Sequence, residues 1–460
     1  MKRIQLIPFQ ILLIIIFLLS FTFVNGTTYF INNKIGNDAN QGTTKDSPWK
    51  GFPNLENNIF QPGDSILFAD GTNYKGGFIF KCSGTIEKPI VFSHYYMGSD
   101  IITTTPREKL ENLFPKYGGG PAPSFTNPDW NVINGNIFNI NASYIIIDGL
   151  YFHDNTNPPE SDHKNKNVQK MGVVYLALGS NHNIIKNCEF FNTPVGIKVK
   201  GSYNLISHNY MHDATEKLAY SWGPIAIMIV KPYNEICYNK IVNYGSYGGP
   251  YGSDGGVVEI DGVDDDYEGH HIDIHHNISI NNHGFLELAG RNMDNITIAY
   301  NLSDDTNQFV GGGSMTNIFV NNNTIIRTRE PNVDRYIFWT FVPDSTSMVI
   351  KNNIFVLPHD IQVYGPFVKQ VGHHRSRIGN QPHDHNLYYT VGNSNPDPLG
   401  GIAKGKGDII GDPLFIDNKN GNYRLQPNSP ARKSGTKLNY SCNLDGYPIQ
   451  KNETPNIGVY

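Results

Sequence analysis

The 460-residue chain is poor in charge, in cysteine and in the residues that build long helices. Asp, Glu, Lys and Arg make up 17%, and 36 basic against 41 acidic residues leave a net charge of −5. That balance argues against a nucleic-acid partner, because phosphate recognition shows as a basic excess. Four cysteines (Cys82, Cys188, Cys237 and Cys442) are too few and too scattered for a disulfide scaffold, and no CxxC pair marks a zinc site. No GxSxG or Cys/His arrangement supports a Ser or Cys nucleophile. The GGGS run at 311–314 is followed by no helical pattern, which a phosphate-binding loop requires.

One long apolar run occurs, and it stands at the start. Lys2 and Arg3 precede Ile11–Leu19 (ILLIIIFLL), and Gly26 follows Val24 at a plausible cleavage point. Residues 1–26 therefore read as a secretory signal. The expected mature protein is secreted or periplasmic, free of the membrane after cleavage, and a monomer.

What is abundant is Gly (46), Tyr (26), Phe (25), Asn and β-branched residues, a composition for strands and turns. From residue 140 a short pattern returns: a strand-like run, a turn, a second strand ending near Asn. Copies include YIIIDGLYF (144–152), NIIKNCEFF (183–191), YNLISHNYM (203–211), YNEICYNKI (233–241), HIDIHHNIS (271–279) and MVIKNNIFV (348–356). The recurring Asn is placed at 209, 239, 277, 301, 322 and 353. Each copy alternates apolar and polar residues, as a strand with one buried face does. No copy buries its apolar face alone, so the copies must stack. A β-sandwich would need hairpin turns that the sequence does not supply. The expectation is an all-β, single-domain, right-handed parallel β-helix spanning 27–460. It carries a long loop at about 98–135, further inserted loops, and closing coils at about 386–460.

Aligning the copies puts GIKVK (196–200), IAIMIV (225–230), VVEIDG (257–262), FLELAG (285–290) and FVGGGS (309–314) on one outer sheet. Glu259, Asp261 and Glu287 interrupt its apolar runs and should point outward. Two acids on adjacent strands repel, and folding has no need of that arrangement, so the pair marks a candidate site. Lys198 and Lys200 lie up-ladder, Arg291 just after Glu287, and His270, His271, His275 and His283 nearby in sequence. Tyr220, Trp222, Tyr247 and Tyr251 offer aromatic walls for a sugar. A basic cluster, GHHRSR (372–377), with His383 and His385, places Arg375 and Arg377 where a carboxylate or sulfate can be gripped. The Asp264–Asp266 run reads as a solvated loop.

The opening segment PGDSILFADGTNYKGGFIF and the closing IGDPLFIDNKNGNYRLQPNSPARKSG resemble the ends of exported β-helix carbohydrate-active enzymes. FLELAGRNMDNITIAYN (285–301) resembles the coil of the alginate and chondroitin lyase family, in which a metal-binding Glu precedes the basic catalyst. The resemblance implies Ca²⁺ held by Glu287 and Arg291 in the basic position; in an eliminating enzyme Glu259 and Asp261 would join Glu287 around the ion. That family uses Lys there, and an Arg is a poor base, so His283 or a tyrosine would substitute. The implied activity is β-elimination on an anionic, uronate-containing polysaccharide or its oligosaccharides, or dehydration of a terminal uronic acid, with no organic cofactor. A retaining glycoside hydrolase using Glu259 and Glu287 is the competing enzyme. A non-catalytic glycan-binding β-helix is the third reading.

Overall fold

The computed structural model describes residues 26–96, 122–155, 170–215, 223–249, 252–261, 268–290, 293–329, 336–342, 345–365, 376–392, 396–450 and 452–460. Residues 1–25 of the expected signal, and the Asp264–Asp266 run, lie outside them.

Among the described residues the strands form three long sheets of 12, 10 and 12 strands, and the pairing that builds them is almost wholly parallel. The chain visits the sheets in turn. Val195–Val199, Leu205–Ser207 and Tyr210–Ala214 make one coil, and Ile225–Ile229, Glu235–Cys237 and Lys240–Tyr244 make the next. Equivalent residues pair one coil apart, as in Ile197↔Ile227, Ile227↔Val258 and Val258↔Leu286. Their side chains point inward to a continuous core. Each fully buried aliphatic contributes about 1.5–3 kcal/mol. At one end the core is largely aromatic, with Phe152 packed between Phe125 and Phe190 at ring distances of 5.5 and 5.0 Å. The short helix Pro53–Asn57 caps that end: Leu55 is buried, and Phe52 before it packs on Phe78. This is the parallel β-helix expected from the repeats.

From His208 onward, two residues make each corner between the 12-stranded sheets. The first is left-handed, with φ between 53° and 58° at His208, Tyr238, His276, Tyr300, Asn322, Asn352 and His385. The second is the Asn that follows, at 209, 239, 277, 301, 323, 353 and 386. Left-handed backbone costs roughly 1–2 kcal/mol per residue. The Asn side chain offsets it by bonding its neighbours. Asn277 Oδ1 accepts from the Asn239 N–H and side-chain amide at 3.0 Å each, while its own Nδ2 donates to Ile236 O, His275 O and Asn301 Oδ1. The ladder ends where Asp408 accepts from the Asn386 N–H. The left-handed residues also stack: ring centroids are 5.0 Å apart for His208 and Tyr238, 4.9 Å for Tyr238 and His276, and 5.1 Å for His276 and Tyr300.

Three boundaries differ from the sequence expectation. The ladder residue is Asn323, not Asn322, because Asn322 takes the left-handed place and its amide reaches the carbonyls of Asn456 and Gly458. Within the expected loop at 98–135, Ser124–Thr126 is a strand that pairs with Asn73–Lys75 and Tyr151–His153. Beyond Ile409–Ile410 the chain stops coiling. Phe415–Asp417 and Asn422–Leu425 pair antiparallel, and the remainder runs back outside the coils, packing Leu444, Ile457 and Val459 on Leu302, Ile354 and Leu387. Its apolar residues lack the alternation a coil strand requires.

Candidate functional site

The 10-stranded sheet turns one side of each strand to the core and the other outward. Register pairing assembles the outward side chains into a column: Asn139, Tyr175, Lys198, Met228, Glu259, Glu287, Gly311, Trp339 and Arg377. Neighbours in such a column are about 4.8 Å apart. Glu259 and Glu287 are direct partners. Asp261 shares their side of the sheet two residues on, and its N–H continues the ladder to Ile229 O at 3.1 Å. The five sequence segments expected on this sheet are all there.

The column is unusually covered for an outer face. Lys198, Met228, Glu259 and Trp339 are all buried, and Glu287 and Asp261 are partly exposed. At the Lys198 end, Trp130 and Met171 join Val195, Ile225 and Met228 in an apolar cluster outside the main core. Gly172 lies directly on Lys198: a Cβ there would meet the Lys198 Cβ at 2.9 Å. At the other end the indole of Trp339 lies on Gly311, in space that any side chain at 311 would occupy. Asp261 and Glu287 thus keep partial exposure between an apolar cluster and the Trp339 indole, while Glu259 beside them is buried.

Arg377, which the sequence assigns to a separate basic cluster, closes this same column beside Trp339. Its Nη1 donates to Gln362 Oε1 at 2.5 Å, and its guanidinium lies 5.8 Å from the Tyr336 ring centre. Lys200 follows Lys198 on the same side, its N–H bonded to Leu176 O at 2.9 Å.

The other candidate residues fall elsewhere. His283 is not on the outward column. It is buried at the turn before the strand, where the Asn307 amide lies 3.1 Å from its Nε2, so packing withdraws it from the acids. His270, His271 and His275 lie on a 12-stranded sheet, not beside the acids, since the chain changes sheets between Ile260 and His270. His383 and His385 also lie away from the column, with His383 Nδ1 at 2.7 Å from Gln381 O and His385 Nδ1 at 2.9 Å from Asp384 Oδ1. Tyr247 belongs to an antiparallel hairpin, Ser246–Gly249 with Gly252–Asp254. Tyr220, Trp222, Tyr251, Arg291 and Arg375 lie outside the described residues.

Sequence reasoning missed Trp339, Trp130 and Met228 as parts of this site. A signal for Trp339 exists: a flat Gly311–Gly313 strand next to a coil carrying Trp is a place where a large ring can lie on backbone.

No family model matches the chain. Among curated proteins, a lacto-N-biosidase of Bifidobacterium longum is 32% identical over 75 residues, 15% of this chain and 5% of that enzyme's length. Among solved structures, XylC in complex with xylose is 12% identical, with a TM-score of 0.53 over 94% of this chain and 98% of that one. The pectate lyase Pel9A is also 12% identical, with a TM-score of 0.48 over 95% and 96%. At such identities the similarity is one of fold.

Proposed function

We propose that the chain is an exported carbohydrate-active enzyme that degrades an anionic, uronate-containing polysaccharide or its oligosaccharides by β-elimination. The observation that carries this reading is the register pairing of Glu259 with Glu287, Asp261 beside them, on a column that also holds Lys198 and Arg377. Hydrolysis needs two carboxylates. A column that mixes three acids with cations suits a substrate whose own carboxylate must be held and neutralised.

In the elimination, the C5–H bond breaks, its proton passing to a basic side chain and its electron pair becoming the C4=C5 double bond. The C4–O bond breaks with its pair going to oxygen, which takes up a proton. Lys198, two strands or about 10 Å from Glu259 on the column, is the group for proton transfer, and Arg291, four residues past Glu287 in the sequence, offers a fixed positive charge and not a base. Arg377 grips a carboxylate or sulfate further along. Glu259, Asp261 and Glu287 supply hard carboxylate oxygens without sulfur or imidazole, a donor set that fits Ca²⁺. Bound there, Ca²⁺ would neutralise the uronate carboxylate and acidify C5–H. The walls of Trp130 and Trp339 favour a short oligosaccharide or a chain end over the middle of a long polymer.

The second reading is a retaining glycoside hydrolase. Carboxylates one strand apart are near the ~5 Å separation of retaining enzymes, and the 75-residue match is to a lacto-N-biosidase. A panel of uronate polysaccharides and oligomers, with and without chelator, separates the two. Ultraviolet absorbance of the 4,5-unsaturated uronate, abolished by Glu287→Gln, supports elimination. New reducing ends without that absorbance make the enzyme a hydrolase. Silence in both assays transfers the column to glycan binding.

A further inference from the structure

A second cluster of chemistry-bearing side chains lies on a 12-stranded sheet, away from the acid column. Glu235 and Cys237 are two residues apart on the strand Glu235–Cys237, so both face outward while Ile236 enters the core. The next coil brings His275 into register with Cys237. One donor atom from each of the three lies within 4.8 Å of the other two. His275 Nε2 is 3.0 Å from Glu235 Oε1, and Cys237 Sγ is 3.6 Å from that same oxygen.

From this geometry we infer that Glu235, Cys237 and His275 form a binding site for a divalent transition-metal ion, zinc first, bridging two successive coils. Tetrahedral zinc with bonds of about 2.0 Å to N and O and about 2.3 Å to S sets edges of about 3.3 Å for N···O and about 3.5 Å for S···O. The observed 3.0 and 3.6 Å lie close to both. Thiolate and imidazole select zinc and its neighbours over calcium or magnesium. Glu235 and His275 remain partly open to solvent, which leaves entry and a place for water as fourth ligand.

The surroundings orient the imidazole. His276 Nε2 is 3.2 Å from Cys442 O, and a carbonyl only accepts, so that nitrogen carries the proton. His275 Nδ1 lies 2.9 Å from His276 Nδ1, a contact that fixes the plane of the His275 ring. That contact directs His275 Nε2 at the Glu235 carboxylate, 3.0 Å away. A hydrogen-bonded outer partner of this kind is what a ligating histidine usually has.

The test uses the mature full-length protein, stripped with chelator and titrated with Co²⁺ and then Zn²⁺. One metal per chain and a thiolate-to-cobalt charge-transfer band are expected. Cys237→Ser should abolish the band, and Glu235→Gln and His275→Ala should each weaken zinc at least about tenfold. Cys82→Ala should change nothing. Glu235 is exposed, so Glu235→Gln keeps the inference falsifiable if the Cys237 variant does not fold. Wild-type protein without bound metal, a band that survives Cys237→Ser, or a folded Glu235→Gln variant with wild-type zinc affinity would each overturn it.

Discussion

Two columns of side chains run along the same solenoid and obey opposite rules. At the corner between the 12-stranded sheets, one residue type repeats from Asn209 through Asn239, Asn277, Asn301, Asn323 and Asn353 to Asn386. On the outer side of the 10-stranded sheet, equivalent positions hold Lys198, Met228, Glu259, Glu287, Gly311, Trp339 and Arg377, with no repetition. The first column satisfies the backbone, a demand identical in every coil. The second meets no demand of the backbone, so each position is open to a different chemistry. That break in periodicity is the ground for proposing the site on the second column.

The comparison sharpens most at Glu287. Glu287→Gln should lower turnover by about 10³-fold, within the range for an acid–base group, and leave the melting temperature unchanged. Loss of stability instead would make Glu287 a structural residue like the asparagines. The converse substitution, Asn277→Ala, removes five hydrogen bonds and strands the Asn239 N–H and the Ile236 carbonyl. It should cost about 4 kcal/mol in denaturant unfolding, summed from the usual worth of such bonds. The activity of the surviving folded fraction should be unaltered.

The corner also titrates. His276 has its pKa depressed from 6.5 to about 4, by burial first and then by the nearby charge of His275. A histidine depressed in the folded state binds fewer protons than in the unfolded chain. Its stability contribution is therefore present above pH 6.5 and is lost as pH falls toward 4, up to roughly 3 kcal/mol in all. Melting temperatures at pH 7.5 and 4.5 should differ more for the wild type than for His276→Phe. An equal difference would place the acid sensitivity elsewhere.

Gly311→Ala should have the smallest effect, about 1–2 kcal/mol for overpacking. The added methyl must displace the Trp339 indole, so substrate affinity should fall more than stability. A variant with unchanged affinity would remove the indole from the substrate site.

Much of this architecture is legible in the sequence. Alternation in YIIIDGLYF or HIDIHHNIS gives strand and face, and recurring Asn gives the stacking. Five segments could be aligned on one sheet and the Glu259–Glu287 pairing anticipated, because parallel register needs only the core positions to match. Asn277 and Asn301 also begin Asn-x-Ser sequons, and the structure buries both as ladder residues, so those sequons follow from the ladder. The choice between Asn322 and Asn323 was not legible, since three consecutive asparagines leave the corner's phase undetermined until the left-handed residue is seen.

By itself, then, the sequence determined the period-2 pattern, the coil stacking and the outward acids, because these depend on local alternation and on repetition along one chain. Only the tertiary structure decided that Arg377 closes the acid column, that His283 is withdrawn from it, and that Cys237 meets His275. Those contacts join residues separated by inserted loops of unequal length, and coil register, not distance along the chain, sets which of them become neighbours.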